Sequence, residues 1–355
     1  MLFTTHVAGA ADASERDADG SDDRAYEFAA VYTGDLWRNA SGGLRTGDTY
    51  LDNLDLTLAV DAERAWGFPG VSAFVDALYN NSARFSERYV GDAMTVSNID
   101  APQAVRLYEA WVQWESASLH ALSLRLGLYD LNSEFDMSDS RSLFIHSSHG
   151  VGHELGQTGA NGPSIFPVTS LALRAAWSPA PQWRVLLAVF DGDDGALGIA
   201  ELQWTAERIR KLSLGHWRYS ADDNRGTYAG IDVALDREPA AEPATLAFAR
   251  YGSAEDRINE FADSWSVGVR RRGIFVARPD DELGIAYTRA DVGSAAGAGR
   301  DRYEAALELT YRAAISDWLT IQPDIQYIFN PGADPALDDS LAFGLRLEFS
   351  AVALR

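Results

Sequence analysis

Three histidines raise the first chemical question. His146, His149 and His153 are spaced by three and four residues, so on one helical turn they could share a face and ligate a metal. Glu154 offers one further ligand, but the stretch is rich in Gly and Ser, which hold a helix poorly, and it reads as a polar or pH-responsive loop. Ser147 or Ser148 beside His149 has the residue types of a hydrolase pair. Nearness in sequence is not triad geometry, however, and no nucleophile elbow is present. Asp191, Asp193 and Asp194 in DGDDG are dense acidic oxygens, yet an EF-hand loop needs a bidentate Glu near its twelfth position and none stands there. The chain has no cysteine, which removes disulfides, thiolate metal sites and cysteine nucleophiles together. The expectation is a protein without covalent chemistry, metal or cofactor.

What remains is a set of forked donors and carboxylates. Of 30 basic residues only Lys211 is lysine. A guanidinium offers a planar fork of N–H donors, whereas an ammonium is a point charge. Arg125, Arg174, Arg312 and Arg346 all sit in segments where polar and apolar residues alternate, as do Asp55, Glu109, Glu201, Glu308 and Glu348. By phase these charges share one face, with the alternative that they merely keep that face wet.

The elements that carry these residues have period two. Leu122, Leu124, Leu126 and Leu128 interleave with Ser123, Arg125, Gly127 and Tyr129, and Leu341 to Phe349 repeats the pattern. Successive side chains of a strand point to opposite faces, so each segment has a greasy side and a polar side. Sixteen such segments follow residue 25, near 26–36, 50–62, 71–80, 104–115, 120–130, 169–179, 182–191, 198–208, 210–219, 226–235, 243–253, 264–275, 282–290, 303–314, 318–330 and 340–350. No apolar run reaches about 18 residues, which excludes a helical membrane span and leaves a β-barrel span untouched. An even count, with nine aromatics from Trp66 to Phe349 towards strand ends, fits a closed antiparallel transmembrane barrel. A soluble sandwich or solenoid would have to keep all those greasy faces out of water.

The connections predict orientation. Glu115–His120, Ser178–Gln182, Glu207–Arg210 and Ile315–Trp318 are tight, whereas the odd-numbered strands are mostly followed by longer connections, as in outer-membrane barrels. The longest, Leu131–Val168, is expected to fold into the lumen, carrying Asn132, Glu134 and Asp136 with it. These three could equally be turn and capping residues. Residues 1–25 read as a flexible acidic arm, with Ala8 and Ala10 as a small-x-small remnant of a signal peptide, and 26–355 as one barrel domain. A formal net charge of -22 makes nucleic acid a poor partner.

The long loop and the last strands resemble the carbohydrate-selective porin family of the OprB type. The matching phrases are LRLGLYDLNSEFDMSDSRSLFIHSSHGVGHELGQTGANGPSIFPVTSLALR from Leu124 to Arg174, and YEAALELTYRAAISDWLTIQPDIQYIFNPG from Tyr303 to Gly332. The chain departs from the expected pattern in its three loop histidines and in SAVALR after Phe349, where an aromatic end is usual. The resemblance implies a sixteen-stranded channel in the bacterial outer membrane, monomeric or homotrimeric, for passive diffusion of neutral glucose-type monosaccharides. A sugar has no charge but many vicinal hydroxyls, so its passage needs forked donors, carboxylates and water. On that reading Arg125, Glu134, Asp136, Arg174, Asp55, Glu109, Asn132, Arg312 and Arg346 form the constriction, with Glu134 as the preferred hydroxyl acceptor. Oligosaccharide traffic through the same barrel, or a barrel enzyme, is the competing reading.

Overall fold

The computed structural model describes residues 24–354, apart from 82, 118–120, 160–161, 193 and 237–241. All sixteen expected segments are strands: β1 (Tyr26–Ser41), β2 (Gly47–Asp61), β3 (Val71–Asn80), β4 (Ala104–Glu115), β5 (Ser123–Tyr129), β6 (Ser170–Ala180), β7 (Trp183–Asp191) and β8 (Ala196–Trp204). They continue as β9 (Ile209–Tyr219), β10 (Arg225–Ala234), β11 (Thr245–Ala254), β12 (Phe261–Arg272), β13 (Glu282–Val292), β14 (Tyr303–Ser316), β15 (Leu319–Phe329) and β16 (Ser340–Leu354). Each pairs antiparallel with its chain neighbours, and β1 also pairs with β16, so the sheet closes and no edge is left unpaired. Most of the arm, residues 1–23, lies outside the described residues, as do Asp193 and His120.

The two phases of each strand separate as the alternation requires. On β5, Leu124 and Leu126 are 40% and 57% exposed, while Arg125 between them is 2% exposed. Neighbouring strands repeat this with Leu171, Leu173, Leu187 and Val189 outside and Arg174, Leu186 and Ala188 inside. The outward rows form a continuous apolar band suited to lipid, and with every backbone group paired around the ring such a wall can cross a bilayer. Trp318 stacks on Phe349 at 6.1 Å and Trp183 packs against Trp204 at 6.2 Å on one rim, while Trp265 packs against Tyr287 at 5.1 Å near the other.

Two expectations need correction. The length asymmetry between the two ends is carried by two segments only, 81–103 after β3 and 130–169 after β5. On the opposite side the connections 235–244 and 273–281 are longer than 192–195 and 220–224. The β2–β3 connection also contains a short helix, α1 (Ala62–Trp66), whose N-terminus is capped where the Asp61 carboxylate accepts from Arg64 N at 3.1 Å. Second, Phe349 does not end the last strand: β16 runs on to Leu354, and Ser350–Leu354 pair with Val31–Glu27 of β1. SAVAL is therefore wall.

The inward phase is less polar than alternation alone suggests. Trp37, Leu51, Phe85, Val90, Val96, Ile99, Ile145 and Ile328 form one buried cluster, and Tyr129, Leu131, Phe135, Leu155, Phe190, Leu197, Trp217 and Tyr228 belong to another. Each cluster joins inward wall residues to residues of 81–103 or 130–169. These segments bring their own apolar side chains into the barrel and cover the apolar part of the inner wall, removing that area from water.

The closed wall should make the folded protein migrate differently in detergent gels before and after boiling; equal mobility would contradict closure. Leu126→Arg, on the lipid face of β5, should weaken folding into a bilayer by about 2–4 kcal/mol near the midplane, read from urea titration in vesicles.

Candidate functional site

Strand register creates an electrostatic problem that the long loop solves. Arg125 of β5 lies directly across from Arg174 of β6, both pointing inward. Like charges at opposed positions repel, and more so when buried. Asp130 starts a tight turn in which its Oδ1 accepts from Asn132 N at 2.7 Å, and the chain then delivers Glu134 between the two guanidiniums. Glu134 Oε2 lies 2.7 Å from Arg174 Nε and 3.9 Å from Arg125 Nη1, and Oε1 accepts from Arg184 Nη2 at 2.8 Å. Tyr129 donates its hydroxyl to the same carboxylate. Gln113 Oε1 completes the group, accepting from Arg125 Nε at 3.0 Å and Arg174 Nη2 at 2.6 Å. Arg125 is also sandwiched against the rings of Trp111 and Tyr129, at 3.8 and 4.8 Å. Among the described residues its Nη2 is left without a partner.

Asp136 makes the second attachment. It accepts from Arg250 Nε at 3.0 Å, Arg141 Nη2 at 2.9 Å and Gly152 N at 2.9 Å, and its own N–H donates to Glu201 Oε2 at 2.8 Å. Arg250, from β11, also donates through Nη1 to Glu154 Oε2 at 3.0 Å, and Glu154 belongs to α2 (His153–Gly156) in the loop. The approach is so close that a Cβ on Gly152 would lie 2.0 Å from the Arg250 guanidinium, and one on Gly252 1.9 Å from Glu154 Oε1. Further along, Glu308 of β14 accepts from Ile145 N at 2.6 Å and His146 N at 3.2 Å, and Gln322 of β15 donates to Leu143 O at 2.7 Å. All of these wall side chains belong to the inward phase, so the segment lies on the lumen side of the wall.

The segment 81–103 joins it there. Asn98 N donates to Ile145 O at 2.9 Å and Ser147 N to Thr95 O at 3.1 Å, while Arg346 of β16 holds Asp35 at 2.7 Å and Asn98 Oδ1 at 2.7 Å. Asn132 braces its own turn, donating from Nδ2 to Phe135 O at 3.2 Å and Gly150 O at 3.3 Å. Asp55 accepts from Asn53 at 2.7 Å, and Glu109 from Asp130 N at 2.7 Å. Arg312 lies 3.8 Å from Glu282 and 3.4 Å from Glu348, apart from the loop attachments.

Arg184, Arg250, Glu154, Lys211 and the whole of 81–103 are missing from the sequence-based set. Arg184 and Arg250 share their phase with Leu186 and Phe248, and an inward row that looks apolar hides its charge. The histidines do not share one helical face. His146 precedes a single turn at Ser147–His149, His149 packs on Phe144 at 4.9 Å, and His153 packs on Phe261 at 5.0 Å.

Burial by itself would raise the Glu134 carboxyl, but Arg125, Arg174, Arg184 and the Tyr129 hydroxyl outweigh it and hold the group down to about 2. Asp136 is likewise held low against its burial by Arg250 and Arg141. Burial lowers His146 to about 3 and His153 to about 4.

A closed barrel with an apolar outer band, narrowed by segments pinned across a charged inner wall, defines a porin of the bacterial outer membrane. The family described as "Carbohydrate-selective porin, OprB family" matches residues 45–216 and 212–350, and the chain belongs to it. Porin B of Pseudomonas aeruginosa is 24% identical over 92% of this chain and 87% of its own length. The high-pH structure of Pseudomonas putida OprB superposes with a TM-score of 0.81 at 19% identity, covering 93% of this chain and 95% of that one, and its low-pH structure with 0.63 at 18% identity, covering 93% of each. Family and fold point to a channel rather than an enzyme.

Two outcomes follow. Because the Glu134 carboxyl titrates below its unfolded value of 4.5, its contribution to loop docking is complete above that pH and is lost as pH falls towards 2. Single-channel conductance of the wild type should therefore change across that acid range, and a Glu134→Gln channel should lack this step. In NMR spectra the His146 and His153 imidazoles should not titrate between about pH 8 and 5, whereas a midpoint near the unperturbed value of about 6.5 would mean a hydrated loop.

Proposed function

We propose that this porin passes neutral monosaccharides of the glucose type down their gradient, with selectivity set by the size and hydrogen bonding of the constriction. The observation that carries the reading is the pinning of 130–169 and 81–103 to the inner wall by buried, charge-assisted bonds. A rigid constriction discriminates by size, whereas a loose loop would yield to larger solutes. In this reading Glu134, Asp136 and Arg174 fix the shape of the constriction, since wall cations and loop groups already occupy their polar atoms. Arg125, buried against Trp111 and Tyr129, helps to fix that shape, with Asn132, Asp55, Glu109, Arg312 and Arg346 completing the surroundings of the pathway.

The partly exposed inward groups Arg184, Lys211, Arg270, Arg312 and Glu348 supply forked donors and acceptors to water and to vicinal hydroxyls. One chain closes its own wall, so the pathway needs no second subunit, whether the protein stands alone or in a homotrimer. Lipid meets only the outer band.

Liposome swelling against a sugar series tests the proposal: monosaccharides should enter quickly and disaccharides slowly, and equal rates would favour an oligosaccharide channel. Shortening the loop between Asn132 and Phe166 should raise conductance and admit disaccharides. Arg312→Lys, at a partly exposed inward position apart from the loop attachments, keeps the charge but not the fork, and should weaken glucose block by the worth of one hydrogen bond, about 0.5–1.5 kcal/mol, at nearly unchanged conductance.

A further inference from the structure

Two connections, 62–70 after β2 and 273–281 after β12, stand on the rim that carries the tight turns 181–182 and 317–318. In an outer-membrane barrel that rim faces the periplasm. Both leave clustered apolar side chains uncovered. Trp66 and Phe68 are more than half exposed in the first, and Ile274 and Phe275 are exposed in the second beside Val276, which is 100% exposed. Neither group hangs clear of the wall. Trp66 packs edge-on against Tyr26 at 6.3 Å, and Phe275 against Tyr311 at 6.2 Å. Tyr26 shares the outward phase of Phe28 and Leu36, and Tyr311 that of Leu307 and Leu309, so both connections turn over the lipid-facing side of the barrel.

Polar bonds fix both shapes. Asp281 lies in the fork of Arg278, accepting from Nε at 2.8 Å and Nη2 at 2.9 Å, and it also accepts from Ala314 N at 3.0 Å and from the Tyr311 hydroxyl. Arg278 Nη2 reaches on to Ala314 O at 3.0 Å, which ties the turn to β14. In the other connection Gly67, left-handed at φ 75, donates its N–H to Glu63 O at 2.8 Å, Gly70 N donates to Glu63 Oε2 at 3.0 Å, and Glu115 N to Gly70 O at 2.8 Å. The apolar tips are held out by bonds that do not use them. In water alone such a presentation would be a cost, and clustered exposed apolar side chains on a fixed support mark an interaction surface.

We propose that both connections are interfacial anchors, which seat Trp66, Phe68, Phe275 and Val276 in the boundary between headgroups and acyl chains of the periplasmic leaflet. Continuity with the outer apolar band argues for lipid as the occupant, since aromatic rings at the edge of such a band meet hydrocarbon on one side and water on the other. Their placement argues the same way. The strands β13, β14, β15, β16, β1 and β2 separate the two connections round the ring. Lipid touches the whole circumference, whereas a second copy of the chain would meet one side of it. The charges nearby, Arg64 and Arg278 with Glu63 and Asp280, are of both signs, so the seat is apolar and calls for no particular headgroup. Held at two places, the barrel sits at one depth in the bilayer, whichever solute passes.

The chain has no cysteine, so Val276→Cys, Phe68→Cys, Leu126→Cys and Ala221→Cys can each carry a single NBD fluorophore on the full barrel folded into phosphatidylcholine vesicles. Leu126→Cys is the lipid-facing reference, and Ala221→Cys, in the exposed connection 220–224 at the opposite rim, is the aqueous one. The probes at 276 and 68 should be quenched by lipid carrying a doxyl group high on its acyl chain, and by iodide at least about threefold less than the probe at 221. Iodide quenching equal to that at 221 would overturn the proposal by placing the tips in water. Protection from iodide without quenching by doxyl lipid would overturn it by placing a second copy there. A measurement without any probe uses Val276→Ser, because the protein itself leaves that side chain uncovered and only contact with lipid is removed. Its urea midpoint in vesicles should fall below that of the wild type, with the gel shift on boiling retained, and an unchanged midpoint would likewise overturn the proposal.

Discussion

Two guanidiniums facing each other across adjacent strands, Arg125 and Arg174, cannot both be buried unless an anion lies between them, and Glu134 is that anion. The constraint works in both directions. The wall needs the carboxylate to tolerate its own register, and the loop needs the cations to tolerate a carboxylate in a place water barely reaches. Removing one member of such a buried group costs roughly 3–5 kcal/mol because the others are left uncompensated. The start of the long loop is therefore fixed to β5, β6 and β7 together, and the rest of the segment is built outward from that point.

From there the attachments continue round the wall. Asp136 and Glu154 share Arg250 on β11, Ile145 and His146 give their N–H groups to Glu308 on β14, and Ile145 O receives Asn98 of the second segment. Asn98 and Ser97 then close the circuit on Arg346 and Asp35, at the seam between β16 and β1. The inner surface is thus braced across its diameter as well as around its circumference. Sixteen strands by themselves would enclose an open water-filled lumen, and the two segments bond to the inward side chains that face it. The histidines belong to the same framework: held neutral by burial and packed on Phe144 and Phe261, they fill space as aromatic side chains do.

The outer face obeys a different rule. Its composition answers to lipid, so Leu, Val and aromatic residues recur there whatever the inner face does. The long β1, β2 and β16 carry the seam where the ring closes, and the residues after Phe349 lengthen the pairing between the chain's two ends. Any solute specificity must reside in side chains that this outer band never touches.

The sequence by itself determined the wall. Period two is a local property, so the sixteen strands, their inward and outward phases and the place of the longest connection were legible from residues such as Leu124 to Tyr129 alone. It also placed Arg125, Arg174 and Glu134 among nine candidate residues, though not which of them would meet or in what role, because whether a carboxylate is free for a ligand or consumed by cations depends on what the fold brings beside it. Only the tertiary structure decided that Arg184 and Arg250 complete the attachments, that 81–103 bonds to the long loop, and that the histidines are buried in packing, His146 and His149 with their rings 6.0 Å apart and His153 on Phe261. The attachments of Arg184, Arg250 and 81–103 depend on contacts between residues roughly fifty to two hundred and fifty positions apart, and no local periodicity encodes which inward side chain a folded loop will meet.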